Sequence, residues 1–205
     1  MSDRLTRRRV VGGLLATAIA GVAGCRQPAA PGAAAGAAAL PVLPIGGDFQ
    51  LTGHDGQPFA LDSLRGKVVL IFFGYSSCPD ACPTTLSKLS TVARRLGDDR
   101  ARVRTLYISV DPDRDTPDVL KADLANFSVE ALGLTGTKDQ IDAVVKQYAA
   151  AYEIVLTPES AAKYTISHTT KVYALDAQGR VRTTFAYEAT VDEIVAGIRE
   201  VMAAA

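Results

Sequence analysis

Apolar positions change their period several times along the chain, and each change predicts an element. Residues 67–74 (KVVLIFFG) form a continuous apolar run rich in β-branched and aromatic side chains, the pattern of a strand covered on both faces. Before it, residues 49–51 and 59–61 flank the turn-like GHDGQP and predict a short hairpin at the domain edge. After it, Leu86, Leu89, Val92, Ala93 and Leu96 recur at helical spacing up to Gly97, a stop signal. Residues 103–110 predict a second strand, and Thr116 with Pro117 opens a helix through Asn126 in cap-then-proline order. Residues 131–134 predict a short third strand, and Ile141, Val144, Val145 and Tyr148 mark a helix over 139–151. Residues 170–175 and 181–186 flank the turn 176–179 as a hairpin, and 191–202 close the chain as a helix. Strands alternating with helices and ending in a hairpin plus helix describe an α/β sandwich with a mixed central sheet flanked by helices.

The first forty residues follow a different logic. Residues 1–9 carry four arginines, and 10–24 are apolar, small and uncharged, which is the layout of a signal peptide. That stretch is shorter than the ~20 apolar residues a spanning helix needs. Thr6 to Val11 (TRRRVV) resembles a twin-arginine export signal, with ordinary Sec export as the alternative. Residues 21–25 (GVAGC) resemble a bacterial lipobox, which implies lipidation of Cys25 once residues 1–24 are removed. Residues 25–44 are rich in Ala, Pro and Gly and read as the lipidated N-terminus and a flexible tether reaching about 20 Å. The expectation is an exported protein, lipid-anchored at the periplasmic face of a bacterial membrane, with one folded domain over 45–205.

Charge narrows the partners. The full chain balances 22 basic and 22 acidic side chains, and loss of residues 1–24 would leave 18 and 21. Such a chain has no basic field to recruit nucleic acid through its phosphates.

Only three cysteines and two histidines are present. Cys78 and Cys82 are separated by Pro79, Asp80 and Ala81, between the buried strand and the helix that follows. Spacing of four returns to one helical face, so the thiols can meet in a disulfide or hold one metal ion. A helix N-terminus favours the thiolate that both chemistries need. An inert structural bond is the alternative, although so short a loop removes little chain entropy from the unfolded state. A zinc ribbon would require a second cysteine pair, which is absent.

FFGYSSCPDACPTTL, residues 72–86, resembles the signature of the Sco/SenC family of copper-binding proteins. SVDPDRDTP at 109–117 and YTISHTTKVYALDAQG at 164–179 resemble that family's second and third blocks, in the same order. The resemblance spans about residues 45–202. It implies a thioredoxin-like fold and a copper site of two cysteine sulfurs and one histidine, which carry over to Cys78, Cys82 and His168. Soft thiolates suit Cu(I), imidazole suits both copper oxidation states, and a three-ligand site leaves room for handover. The implied function is a metallochaperone delivering copper to the binuclear centre of cytochrome c oxidase subunit II, or to another copper-accepting protein. A thiol-disulfide oxidoreductase or a redox or copper sensor would use the same cysteine pair. Residues 167–172 hold no proline where thioredoxin-like reductases usually carry a cis-proline, which weighs against a simple reductase.

His54 lies in a Gly-rich turn outside the three blocks and reads as surface. Asp111, Asp113 and Asp115 are hard donors suited to calcium or magnesium, and in this Asp-Pro and Thr-Pro setting a structural role is expected. Ser167 stands where many relatives carry Asp, so a carboxylate beside the histidine is expected to be missing.

Overall fold

A computed structural model describes residues 40–204. The predicted leader, Cys25 and most of the predicted tether lie outside the described residues. Nine strands and four α-helices follow in the order β1 (Gln50–Gly53), β2 (Pro58–Ala60), β3 (Val68–Gly74), α1 (Ala81–Leu96), β4 (Val103–Ser109), α2 (Pro117–Leu124), β5 (Leu132–Thr135), α3 (Lys138–Gln147), β6 (Tyr152–Thr157), β7 (Lys163–His168), β8 (Val172–Leu175), β9 (Val181–Phe185) and α4 (Val191–Ala203).

Seven strands form one mixed sheet in the order β2-β1-β5-β4-β3-β8-β9. β3 is parallel to β4 and antiparallel to β8, and all seven of its residues are buried. The unbroken apolar run therefore marks the covered centre of the sheet, as expected. The N-terminal hairpin is present with β2 as the outermost strand. Helix starts are written locally. The Thr116 hydroxyl accepts from the Val119 N–H ahead of Pro117, and Thr137 with Gln140 and Thr190 with Glu193 form reciprocal capping boxes. α1 ends at Gly97, whose φ of 59° suits glycine.

Two expectations change. The third helix stops at Gln147, earlier than 151, because Ala149 turns to φ 48° and the chain leaves for β6. β6 and β7 were not predicted. They pair with each other over 152–157 and 163–168 as a separate two-stranded sheet, antiparallel, with no ladder to the seven-stranded one. Three adjacent residues of β6, Ile154, Val155 and Leu156, are exposed, so its apolar content marks no buried face.

At the start of the body, Leu40, Leu43 and Ile45 pack against the core. The Leu43 N–H donates to the Val181 carbonyl at 2.8 Å, and Arg182 donates to the Leu40 carbonyl. The chain is thus held to the body before residue 45. Among the described residues no helix is long and apolar enough to cross a membrane.

Candidate metal centre

The carboxyl ends of β3 and β4 face the same edge of the sheet, the edge where ligands gather in open α/β folds. Beyond Gly74 the chain turns through Tyr75 and Ser76 to Cys78, then enters α1 with Cys82 in its first turn. Gly74 is required there by close approach. A Cβ on it would lie 2.8 Å from the Cys82 Sγ and 2.9 Å from the Tyr107 hydroxyl.

The loop is braced from β4. The carboxylate of Asp115, fully buried, accepts from the Ser76 N–H at 3.0 Å, the Ser76 hydroxyl at 2.5 Å and the Ser109 hydroxyl at 2.6 Å. A buried carboxylate must be compensated by such donors. Asp111 is also buried; it bonds Arg114 and accepts from the Tyr164 hydroxyl at 2.9 Å. Asp111 and Asp115 thus do the structural work expected of them, and Asp113 is exposed.

His168 ends β7 and swings its ring over this loop. Its Nε2 lies 3.5 Å from the Cys82 Sγ and 4.0 Å from the Cys78 Sγ. The two thiols are not joined in a disulfide, and the three donor atoms all lie within 4.8 Å of one another. Around one ion held at the ~2.0–2.3 Å bond lengths of soft sites, such ligand atoms would sit about 3.5–4 Å apart, so the spread fits a shared metal. His168 Nδ1 lies 3.0 Å from the Thr169 carbonyl, a pairing that puts the proton on Nδ1 and leaves the Nε2 lone pair toward the sulfurs. The ring is thus oriented by a backbone carbonyl, with Ser167 rather than a carboxylate beside it in sequence. Edge-to-face contacts from Tyr75 at 5.8 Å and Phe72 at 6.1 Å hold the ring.

The thiols differ. Cys78 is half-buried, whereas Cys82 is only 3% exposed, more enclosed than its place at a strand-to-helix loop suggested. The hydrogen bond from the Cys82 thiol, helped by the backbone N–H groups of Asp80 and Cys82 and opposed by burial, brings the Cys78 thiol down to about 3. The same bond, together with burial, pushes the Cys82 thiol up. One proton is therefore shared by the pair and resides on Cys82. Cys78 is the ready thiolate, and it opens onto a cleft also lined by Tyr75, Val155, Ile166 and His168.

His54 is outside this cluster. It is half-buried rather than free on the surface, and its Nδ1 accepts from the Gly133 N–H at 3.2 Å, stitching the β1–β2 turn to β5. Burial lowers its pKa. Sequence reading also missed Tyr75, whose hydroxyl accepts from the Ile166 N–H at 3.2 Å, because nothing local announces a contact with β7.

Comparison with known proteins places the chain among relatives. The SCO1/SenC family model matches residues 38–203. A SCO2-like protein of Rickettsia felis is 36% identical over 151 residues, 74% of each chain. The structure of Bradyrhizobium japonicum ScoI with copper bound is 40% identical, with a TM-score of 0.70 over 77% of this chain and 99% of that one. A structure of BsSco, described as a member of the Sco family of cytochrome c oxidase assembly proteins with a disulfide switch, is 26% identical, with a TM-score of 0.63 over 79% of this chain and 96% of that one. On the extent of the family match and the level of these identities, the chain belongs to the SCO1/SenC family.

Proposed function

We propose that this protein is a copper metallochaperone that holds one copper ion on Cys78, Cys82 and His168 and delivers it to the binuclear centre of cytochrome c oxidase subunit II. The observation that carries the reading is the convergence of two thiol sulfurs and one imidazole nitrogen, from elements far apart in sequence, within 4.8 Å. The donor set is soft, as Cu(I) prefers, and the third ligand is a nitrogen that Cu(II) also accepts. An open cleft beside Cys78 gives an acceptor's ligands a path to the ion. Copper-bound ScoI and the assembly role stated for BsSco support the cargo and the destination. Export and lipidation at Cys25 would place the domain on the periplasmic face, where an oxidase subunit exposes its copper-binding residues.

The inequality of the two thiols supports a second role for the same pair. A half-buried thiolate beside a buried, protonated partner is the arrangement of an attacking and a resolving cysteine. Cys78 attacks one sulfur of an acceptor disulfide, breaking that S–S bond, forming a mixed disulfide and releasing the other acceptor sulfur as a thiolate, which takes the Cys82 proton. Cys82 then attacks the Cys78 sulfur and displaces the second acceptor thiolate. The acceptor gains two electrons and this protein is left with the Cys78–Cys82 disulfide. Reduction of an acceptor's cysteines precedes their loading, so the two roles are compatible.

The test titrates reduced protein with Cu(I) and Cu(II), then adds the reduced soluble domain of an oxidase subunit II. Binding of one equivalent followed by transfer is expected. Failure to bind removes the copper reading, and binding without transfer removes the destination. Mass spectrometry of the mature N-terminus checks the anchor, the expected product being an acylated Cys25.

A further inference from the structure

His168 belongs to a hairpin that shares no backbone ladder with the sheet carrying the cysteines. Its far end is tied to that sheet by the chain itself, since Val172 of β8 pairs with Phe72 of β3 four residues on, and the rest of the hairpin is placed by side chains. β7 alternates, so Tyr164, Ile166 and His168 share one face, each about 6.6 Å beyond the last. Each is held differently. Tyr164 meets the loop after β4, the Ile166 N–H donates to the Tyr75 hydroxyl, and the His168 ring reaches the thiols.

The Tyr164 hold centres on Arg114. Its Nε bonds the buried Asp111 carboxylate, its Nη1 lies 3.3 Å from the carbonyls of both Ala162 and Tyr164, and its guanidinium sits 3.8 Å from the Tyr164 ring centroid. The Tyr164 hydroxyl closes the triangle by donating to the same Asp111. Arg114 also lies 5.7 Å from the ring of Tyr75, the side chain that both holds β7 and edges against His168. One planar cation serves a carboxylate, two carbonyls and an aromatic face together, which the point charge of a lysine cannot do.

We infer that Arg114 is a positioning residue for the metal site: clamping the start of β7 to the loop after β4, it presents His168 to Cys78 and Cys82. The inference rests on the copper reading only for its consequence, since the clamp itself exists without metal. Without it, the imidazole leaves the sulfurs while the two thiols, carried on the β3–α1 loop and the first turn of α1, stay in place.

The test compares Arg114→Gln with the parent in two readouts. In reduced, metal-free protein, the His168 ring protons feel the ring currents of Tyr75 and Phe72; NMR of Arg114→Gln should show them moving to free-imidazole values while β3 and β4 amides are unchanged. With Cu(II), affinity should fall about 10- to 100-fold and imidazole nitrogen coupling in pulsed EPR should disappear, as in His168→Ala. Cu(I) should persist weakly on the two thiols, as in His168→Ala, and disulfide exchange should stay at the parental level. Adding Arg114→Gln to His168→Ala should cost no further affinity, because both act through one ring. Parental ring shifts in Arg114→Gln would overturn the inference. If the parent itself lacks imidazole coupling, the copper reading fails, and the metal-free ring shifts still decide the clamp. Should Arg114→Gln fold poorly, Tyr164→Leu removes the clamp from the hairpin side and leaves the Asp111–Arg114 pair intact; parental ring shifts there would equally overturn it.

Discussion

β3 and β7 each deliver ligands to the same few cubic ångströms, and they are built in opposite ways. β3 is hydrogen-bonded on both edges, buried along its whole length, and followed by a loop tied down by Asp115. β7 has one backbone partner, β6, which exposes Ile154, Val155 and Leu156. The thiol half of the site is thus part of the core, and the imidazole half is docked onto it. Such a division suits a carrier. In the proposed carrier, the core-held thiolates are the donors that persist until handover, and the imidazole is the ligand that can leave first.

The largest expected effect comes from the rigid half. Cys78→Ser or Cys82→Ser removes one of two soft donors, so Cu(I) binding should collapse and disulfide exchange should be lost with it, read by copper stoichiometry and reduction of a model disulfide. Retained tight Cu(I) in either variant would show that the cysteines are not the anchoring half.

Asp115→Ala should be next, striking the brace rather than the ligands. It strands the donors of Ser76 and Ser109 in a buried site, and stability should fall by about 3 kcal/mol in urea unfolding at neutral pH. An unchanged midpoint would mean that the cysteine loop does not depend on β4.

His168→Ala tests the docked half. Cu(II) should bind far less stably, while Cu(I) persists weakly on two sulfurs and thiol exchange continues. If this variant binds both copper states like the parent, the three-ligand site is wrong and the oxidoreductase reading stands alone.

The pH dependence of the thiols is subtler. Because the Cys78 value is depressed from 9.0 to about 3, its thiolate is present above that value and disappears only as pH falls through it. Alkylation at Cys78 should therefore hardly change between about pH 8 and about pH 5, whereas an ordinary thiol would slow steeply. Cys82, shifted the other way, should stay unmodified across that range. A Cys78 rate that falls about tenfold per pH unit below pH ~8 would refute the shared-proton arrangement.

The smallest effect sharpens the contrast between the strands. Leu156→Ser, at a side chain 76% exposed, should leave the unfolding midpoint unchanged, and hydrogen exchange should show β6 amides opening well before those of β3. Coincident protection of the two strands would mean that the hairpin belongs to the core.

How legible all this was depended on whether the cause was local. The period of the apolar residues marked β3, β4 and α1, because a covered strand and a one-faced helix must carry those patterns whatever surrounds them. Caps at Thr116, Thr137 and Thr190 and the stop at Gly97 are also local, each side chain or φ angle serving backbone within a turn of itself. β6 and β7 were silent for the complementary reason. Their exposed face need not alternate, and what holds them is a cation, two tyrosines and an aspartate drawn from segments up to 91 positions away.

The site divides along the same line. The sequence by itself determined which residues can bind a soft metal, since only two cysteines follow a buried strand and only two histidines exist in the chain. Its order of motifs determined the family resemblance. The resemblance already pointed to His168 rather than His54; tertiary structure alone decided how closely its Nε2 approaches the sulfurs, that Cys82 is enclosed while Cys78 opens to the cleft, and that a carbonyl orients the imidazole. The physical reason is that donor chemistry is a property of one side chain, whereas distance, burial and proton sharing are properties of neighbours that only the folded chain brings together.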